Sequence, residues 1–157
     1  MKKFELTNEF VTNMFGTKLF RIRALVEFGD VEAGELGGYV EKESNLGHDD
    51  NAWVYGDARV YDNALVYDNA RVYGDAQVSG DARVCGNGDY AYAHGFGSVN
   101  RTTTFFRLKD GGVGVRCGCF YGTLAQFRDK IRETHGETKK AQEYLMLADL
   151  MKLRFEK

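Results

Sequence analysis

A six-residue unit recurs almost letter for letter through the middle of the chain. It starts at Asn51, Asp57, Asn63, Asn69, Asp75 and Asp81, each followed by alanine, a variable residue and valine. The valines Val54, Val60, Val66, Val72, Val78 and Val84 therefore fall six apart, and the alanines Ala52, Ala58, Ala64, Ala70, Ala76 and Ala82 each lie two places earlier. Residues two apart on a strand share a face, so every hexad turns one small and one β-branched side chain inward. It then breaks at Gly, Asp or Asn, which tolerate corner conformations. A helix would need apolar residues at steps of three and four. The repeat predicts a mainly β fold, a stacked solenoid of short strands.

Three regions follow. Residues 1–36 read as an N-terminal β cap, with Lys18–Glu27 alternating and Phe4–Leu6 available to pair with it. Residues 37–100 are the repeat region, where Leu46 to Val54 is a step of eight rather than six, so two residues loop out around Gly47–Asp50. Beyond Val84 the pattern decays, with Tyr90 and Phe96 expected to hold the interior register. Residues 101–157 read as a hairpin, Thr102–Leu108 and Val113–Phe120 around Asp110–Gly112, and two helices. Thr123 with Gln126 has capping-box spacing before a stripe of Leu124, Phe127 and Ile131. Gly136 ends that helix, and Thr138 caps a second through Ala141, Tyr144, Leu145, Ala148 and Met151.

The repeat resembles the left-handed β-helix hexapeptide-repeat proteins, best known as acyltransferases. Their aliphatic residue followed four places later by a small one is matched by Val54/Ala58, Val60/Ala64 and Val66/Ala70. The resemblance implies a short left-handed parallel β-helix with three hexads per coil, which would stack Val54 under Val72, Val60 under Val78 and Val66 under Val84. A second resemblance covers most of the chain. Leu19–Leu25, Gly37–Glu41, Asn45–Leu46 and Asn51–Tyr55 are similar to the leader of phage and prophage hexapeptide proteins usually labelled transferases. Cys117–Phe120, Gly122–Leu124 and Thr134–Gly136 are similar to their tail. That label follows the repeat, and a fold does not carry an activity with it.

The 157 residues suffice for one compact unit, and no apolar run approaches membrane-spanning length. The start lacks an apolar signal stretch, and three cysteines suit a reducing compartment, so a cytoplasmic location in a bacterial host is expected. The net charge of −2 hides a division: residues 37–100 carry ten acids against four bases, and residues 101–157 twelve bases against seven acids. Such a chain can meet its own neighbour head to tail, or offer a partner two unlike faces. Direct nucleic-acid binding is not expected.

The candidate for catalysis is His48, inside the insertion and beside Asp49 and Asp50, where a carboxylate could orient the ring as a base for acyl transfer. The alternative is a solvated loop. His94 is a weaker candidate, and His135 sits at a helix end beside Gly136. Cys117 and Cys119 share a strand face, but with Cys85 or His135 they make an incomplete zinc set, so no metal is expected. No cofactor is expected either, acyl-CoA entering only under the transferase reading.

The surface feature with most content is aromatic. Tyr55, Tyr61, Tyr67 and Tyr73 directly follow their valines and point outward, and three-hexad coils put Tyr55 beneath Tyr73 and Trp53 beneath Arg71. Exposed Trp53, Tyr55, Tyr61, Tyr67, Arg71 and Tyr73 are the composition of an interface. The expectation is a non-catalytic, oligomeric accessory protein of phage type that acts by binding. A trimer is favoured, and an inhibitory or sequestering role is directed at a host defence protein or a small signalling molecule. The alternatives are an acyltransferase using His48 and a purely structural self-assembling solenoid.

Overall fold

A computed structural model describes residues 2–97 and 101–156. Every hexad forms a two-residue strand: β4 (Trp53–Val54), β5 (Arg59–Val60), β6 (Leu65–Val66), β7 (Arg71–Val72), β8 (Gln77–Val78) and β9 (Arg83–Val84). They pair in parallel eighteen residues apart, Val54 with Val72, Val60 with Val78 and Val66 with Val84, as the three-hexad coil requires. The six valines and six alanines are buried to 1% exposure or less and form one continuous core. Coils are tied by backbone bonds in which the lower N–H donates upward, Tyr55 to Val72 at 3.0 Å and Arg59 to Ala76 at 3.0 Å. The residue after each aromatic turns the corner with positive φ. Gly56 and Gly74 do so at 66° and 68°, and Asp62 and Asp68 at 57° and 56°. At Asp62 the less comfortable backbone is offset by its carboxylate, which accepts the Gly80 N–H at 3.1 Å.

The two-residue insertion shows in the register. Val40 pairs with Val60 and Leu46 with Val66, twenty residues apart rather than eighteen. The surplus lies in the Gly47–Asp50 loop, where the sequence placed it.

Below the coils, β1 (Phe4–Thr12) and β2 (Lys18–Ala24) form an antiparallel hairpin, with Phe4 opposite Ala24 and Leu6 opposite Ile22. β2 continues antiparallel onto β3 (Leu36–Val40), and β3 runs parallel to β5, giving the order β1-β2-β3-β5-β8. The leader is thus one wall of the solenoid prolonged past its end. Phe4, Ile22, Ala24 and Val31 turn inward to close the lower mouth.

Above the coils, β10 (Tyr90–Phe96), β11 (Arg101–Arg107), β12 (Val113–Cys117) and β13 (Phe120–Thr123) form an antiparallel sheet in chain order. The expected hairpin is its middle, with a further strand on each side. Tyr90 does join the solenoid core, but Phe96 packs in the helix-side core, because β10 has left the coil and bonds to β11. The repeat strands end at Val84, so the expected break at residue 100 falls between two paired strands. Residues 98–100 lie outside the described residues. Successive residues of β11 serve two cores: Phe106 covers the upper coil, and Phe105 faces the helices with Val115.

Those helices form where the caps predict. α1 (Leu124–His135) carries the reciprocal Thr123–Gln126 capping box, and α2 (Lys139–Phe155) is capped by the Thr138 hydroxyl. Phe127 and Ile131 of α1 meet Ala141, Tyr144, Ala148, Met151 and Phe155 of α2 against the sheet. Arg116 of β12 locks this upper layer to the coils. It is 6% exposed, donates from Nε to Ser79 Oγ at 2.9 Å and lies 5.6 Å from the Tyr61 ring. Among the described residues, no helix is long and apolar enough to cross a membrane.

Candidate interaction surface and the placement of His48

His48 sits in the insertion, but its chemistry is committed to the cap. The backbone N–H of Lys3 donates to His48 Nδ1 at 3.1 Å, and the ring stacks on Phe4 with centroids 4.3 Å apart. A neutral imidazole that accepts at Nδ1 carries its proton on Nε2 and has no second lone pair to act as a base. Asp50 does not orient that ring. Its Oδ1 accepts from Lys3 Nζ at 3.1 Å and from the Ala52 N–H at 3.2 Å, and its Oδ2 from the Asp68 N–H at 2.7 Å. Asp49 is exposed.

The insertion is a socket for Lys3, which is 2% exposed. Its ammonium also donates to Asp50 O at 3.1 Å and Ala52 O at 2.6 Å and lies 4.5 Å from the Phe28 ring. Burial holds its pKa below the usual lysine value despite the partly compensating Asp50 carboxylate. Sequence reading missed this residue, since a lysine three places from the start carries no local mark of burial.

The outward aromatic face is smaller than the sequence suggests, because the cap covers part of it. Trp53 points away from the coil yet is 1% exposed, with Phe28 edge-on at 5.3 Å. Its indole N–H has no hydrogen-bond partner among the described residues. Tyr61 is 2% exposed, packed with Leu19 and Tyr39 of the extended wall. These two are therefore corrected from exposed to buried: the β1–β2–β3 extension and its connecting loop lie over their faces. Arg71 is half-buried and paired with Asp30 at 2.5 Å, and its backbone N–H donates to Asn87 Oδ1 at 3.0 Å. Tyr67 is half-buried, with burial as the first cause of its raised pKa and the neighbouring Cys85 as the next.

What remains is a tyrosine column with Tyr73 exposed and Tyr55 and Tyr92 half-buried on either side of it. Tyr55 and Tyr73 stack with centroids 5.4 Å apart and planes 18° apart, as eighteen-residue coils dictate. Tyr92 of β10 meets Tyr73 edge-on at 6.4 Å, extending the column across the junction with the upper sheet. Tyr73 is 44% exposed, and beside it a cleft of about 350 Å³ runs between Tyr90, Asn87 and Arg154. Arg154, from the end of α2, is held by donating to Asn87 O at 3.2 Å and Tyr90 O at 3.3 Å. Neither Tyr92 nor Arg154 was visible as a site residue in the sequence, because folding alone brings β10 and α2 to the Tyr73 edge.

The family described as YdcK Beta solenoid repeat matches residues 52–67, 58–74, 64–80 and 76–88. The match agrees with the strands seen there, and the chain carries a β-solenoid repeat. A comparison with curated proteins found no match.

Proposed function

We propose that the protein acts by binding rather than by turnover, through the Tyr55–Tyr73–Tyr92 column and the Arg154 edge. In this reading the coil is the left-handed hexapeptide type, and the protein is a phage-type accessory factor. It assembles with copies of itself, as a trimer, and presents the assembly to a host protein. The observation that carries the reading is that Tyr73, stacked on the half-buried Tyr55, is 44% exposed while the cap covers Trp53 and Tyr61. Aromatic rings backed by an arginine are the side chains that dominate interface energetics. The commitment of His48 Nδ1 to Lys3 supports binding over acyl transfer.

Sedimentation of the intact protein tests the assembly, and affinity capture from bacterial lysate, with tagged parent and Tyr73→Ala compared, tests the partner. Oligomers that persist unchanged in Tyr73→Ala, together with identical captured proteins, would remove the column from the account. A stable oligomer that captures nothing would favour a purely structural solenoid.

A further inference from the structure

A second feature, independent of the tyrosine column, lies in the upper layer. Between the β12–β13 turn and α1 there is a cleft of about 240 Å³. This is just below the range of about 300–1,000 Å³ usual for drug-sized ligands, so it suits a single-ring molecule. Its floor is aromatic and apolar: Phe127 meets Tyr144 edge-on at 5.7 Å, with Ile131 alongside, and the His135 ring lies over Tyr144 at 5.8 Å.

Its charge is one-sided. Arg101 and Lys130 line it and no carboxylate does among the described residues, the nearest partner of Lys130 being Glu133 at 3.9 Å in a weak, exposed pair on the same helix. Basic residues at the end of a helix ordinarily complement its dipole, which accounts for His135. Arg101, however, comes from β11, and Lys130 lies more than one turn before the end of α1. Gly118, at φ 59°, leaves the space beside the turn that the Arg101 guanidinium occupies, and a Cβ there would overlap it.

A buried polar group completes the site. Tyr144 is 3% exposed, and its hydroxyl has a long contact, 3.8 Å, to Cys117 Sγ, which itself accepts from Thr103 Oγ1 at 3.3 Å. Burial raises the phenol pKa, with Cys117 as the next cause, so the hydroxyl stays protonated and able to donate.

We propose that this cleft binds a small organic anion with one flat apolar ring, an aryl carboxylate or aryl phosphate. The ring would lie on Phe127, Ile131 and Tyr144, and the anionic group would face Arg101 and Lys130. Charge-assisted bonds from two cations above an apolar floor distinguish such a molecule both from a bare ion and from a neutral ring.

Cys119, exposed at the rim, provides the readout. The intact protein is treated with iodoacetamide, and the Cys119 peptide is followed by mass spectrometry with benzoate, phenyl phosphate, benzyl alcohol or inorganic phosphate present. At saturation, benzoate or phenyl phosphate should slow alkylation at least about tenfold, since only the unoccupied fraction reacts. Lys130→Glu, on an exposed part of α1, and Arg101→Gln should each weaken that protection about tenfold. Protection by neither aryl anion, equal protection by benzyl alcohol or by inorganic phosphate, or undiminished protection in both variants would overturn the proposal.

Discussion

Lys3 Nζ donates to the carbonyl oxygen of Ala52 at 2.6 Å, joining the segment just before the first strand to the first full coil across 49 residues of sequence. This bond explains why the repeat breaks where it does. The extra residues at Gly47–Asp50 let the chain bulge outward, so that two carbonyls and a carboxylate converge on one ammonium.

The first prediction concerns that socket. Lys3→Met keeps the aliphatic stem but strips Asp50 and Ala52 of their donor, and should cost about 2–3 kcal/mol of stability by urea unfolding. The cost falls at the lower end of the buried-pair range because the Asp50 side chain is 19% exposed. A variant as stable as the parent would show that the socket is not a structural anchor.

The interior is less forgiving. Val66→Asp places a carboxylate among Val84, Leu46 and the alanines with no partner, and should leave the chain unfolded at ordinary temperature. Val66→Ala, which only opens a small cavity, should cost about 1–3 kcal/mol. Circular dichroism melts separate the two, and a cooperative melt near the parent's for Val66→Asp would contradict the inward register.

For the tyrosine column, Tyr55→Ala combined with Tyr73→Ala should leave the fold intact at a cost of about 1–3 kcal/mol, since Tyr73 is exposed but Tyr55 packs partly on the core. It should shift the oligomer equilibrium toward single chains. Sedimentation velocity over a concentration series reads this directly, and superimposable profiles for parent and variant would count against the proposed surface.

Alkaline pH supplies a fourth test. Burial raises the folded-state pKa of Tyr61, Tyr67, Tyr90 and Tyr144 above the ordinary 10.0. The folded chain then holds more protons than the unfolded one, so the stability these phenols contribute is full below about pH 10 and is lost as pH rises beyond it. Lys3, with its pKa lowered from 10.5, works in the opposite sense, gaining stability as pH climbs toward that value. Four phenols outweigh one ammonium, so urea midpoints should fall above about pH 10, and Tyr90→Phe should fall less steeply. Parallel pH profiles for parent and variant would refute the assignment.

The solenoid was legible because its signal is local. Six-residue spacing of Val54 through Val84 is visible in a short window, and the coil length, inward faces and corner residues follow from it. The Thr123 and Thr138 caps were legible for the same reason. The extent of exposure was not. Trp53 and Tyr61 do point away from the coil, but whether an outward side chain meets water depends on Phe28, Leu19 and Tyr39, which arrive from the leader through long-range packing. His48 looked reactive because it interrupts a pattern, and its true neighbour, Lys3, carries no pattern at all. The Arg101–Lys130 cleft draws on β11, the β12–β13 turn and both helices, so no stretch of sequence contains it.

The parallel rungs give the molecule an adjustable length. Because one turn of the coil is any eighteen consecutive residues of the repeat, duplicating residues 57–74 inserts a whole rung without disturbing either plug. Such a duplication would carry the α2 end away from the Lys3 end by about 4.8 Å, the spacing between neighbouring strands. The same surfaces would survive on a longer ruler, and the spacing between whatever they grip would change by one fixed increment.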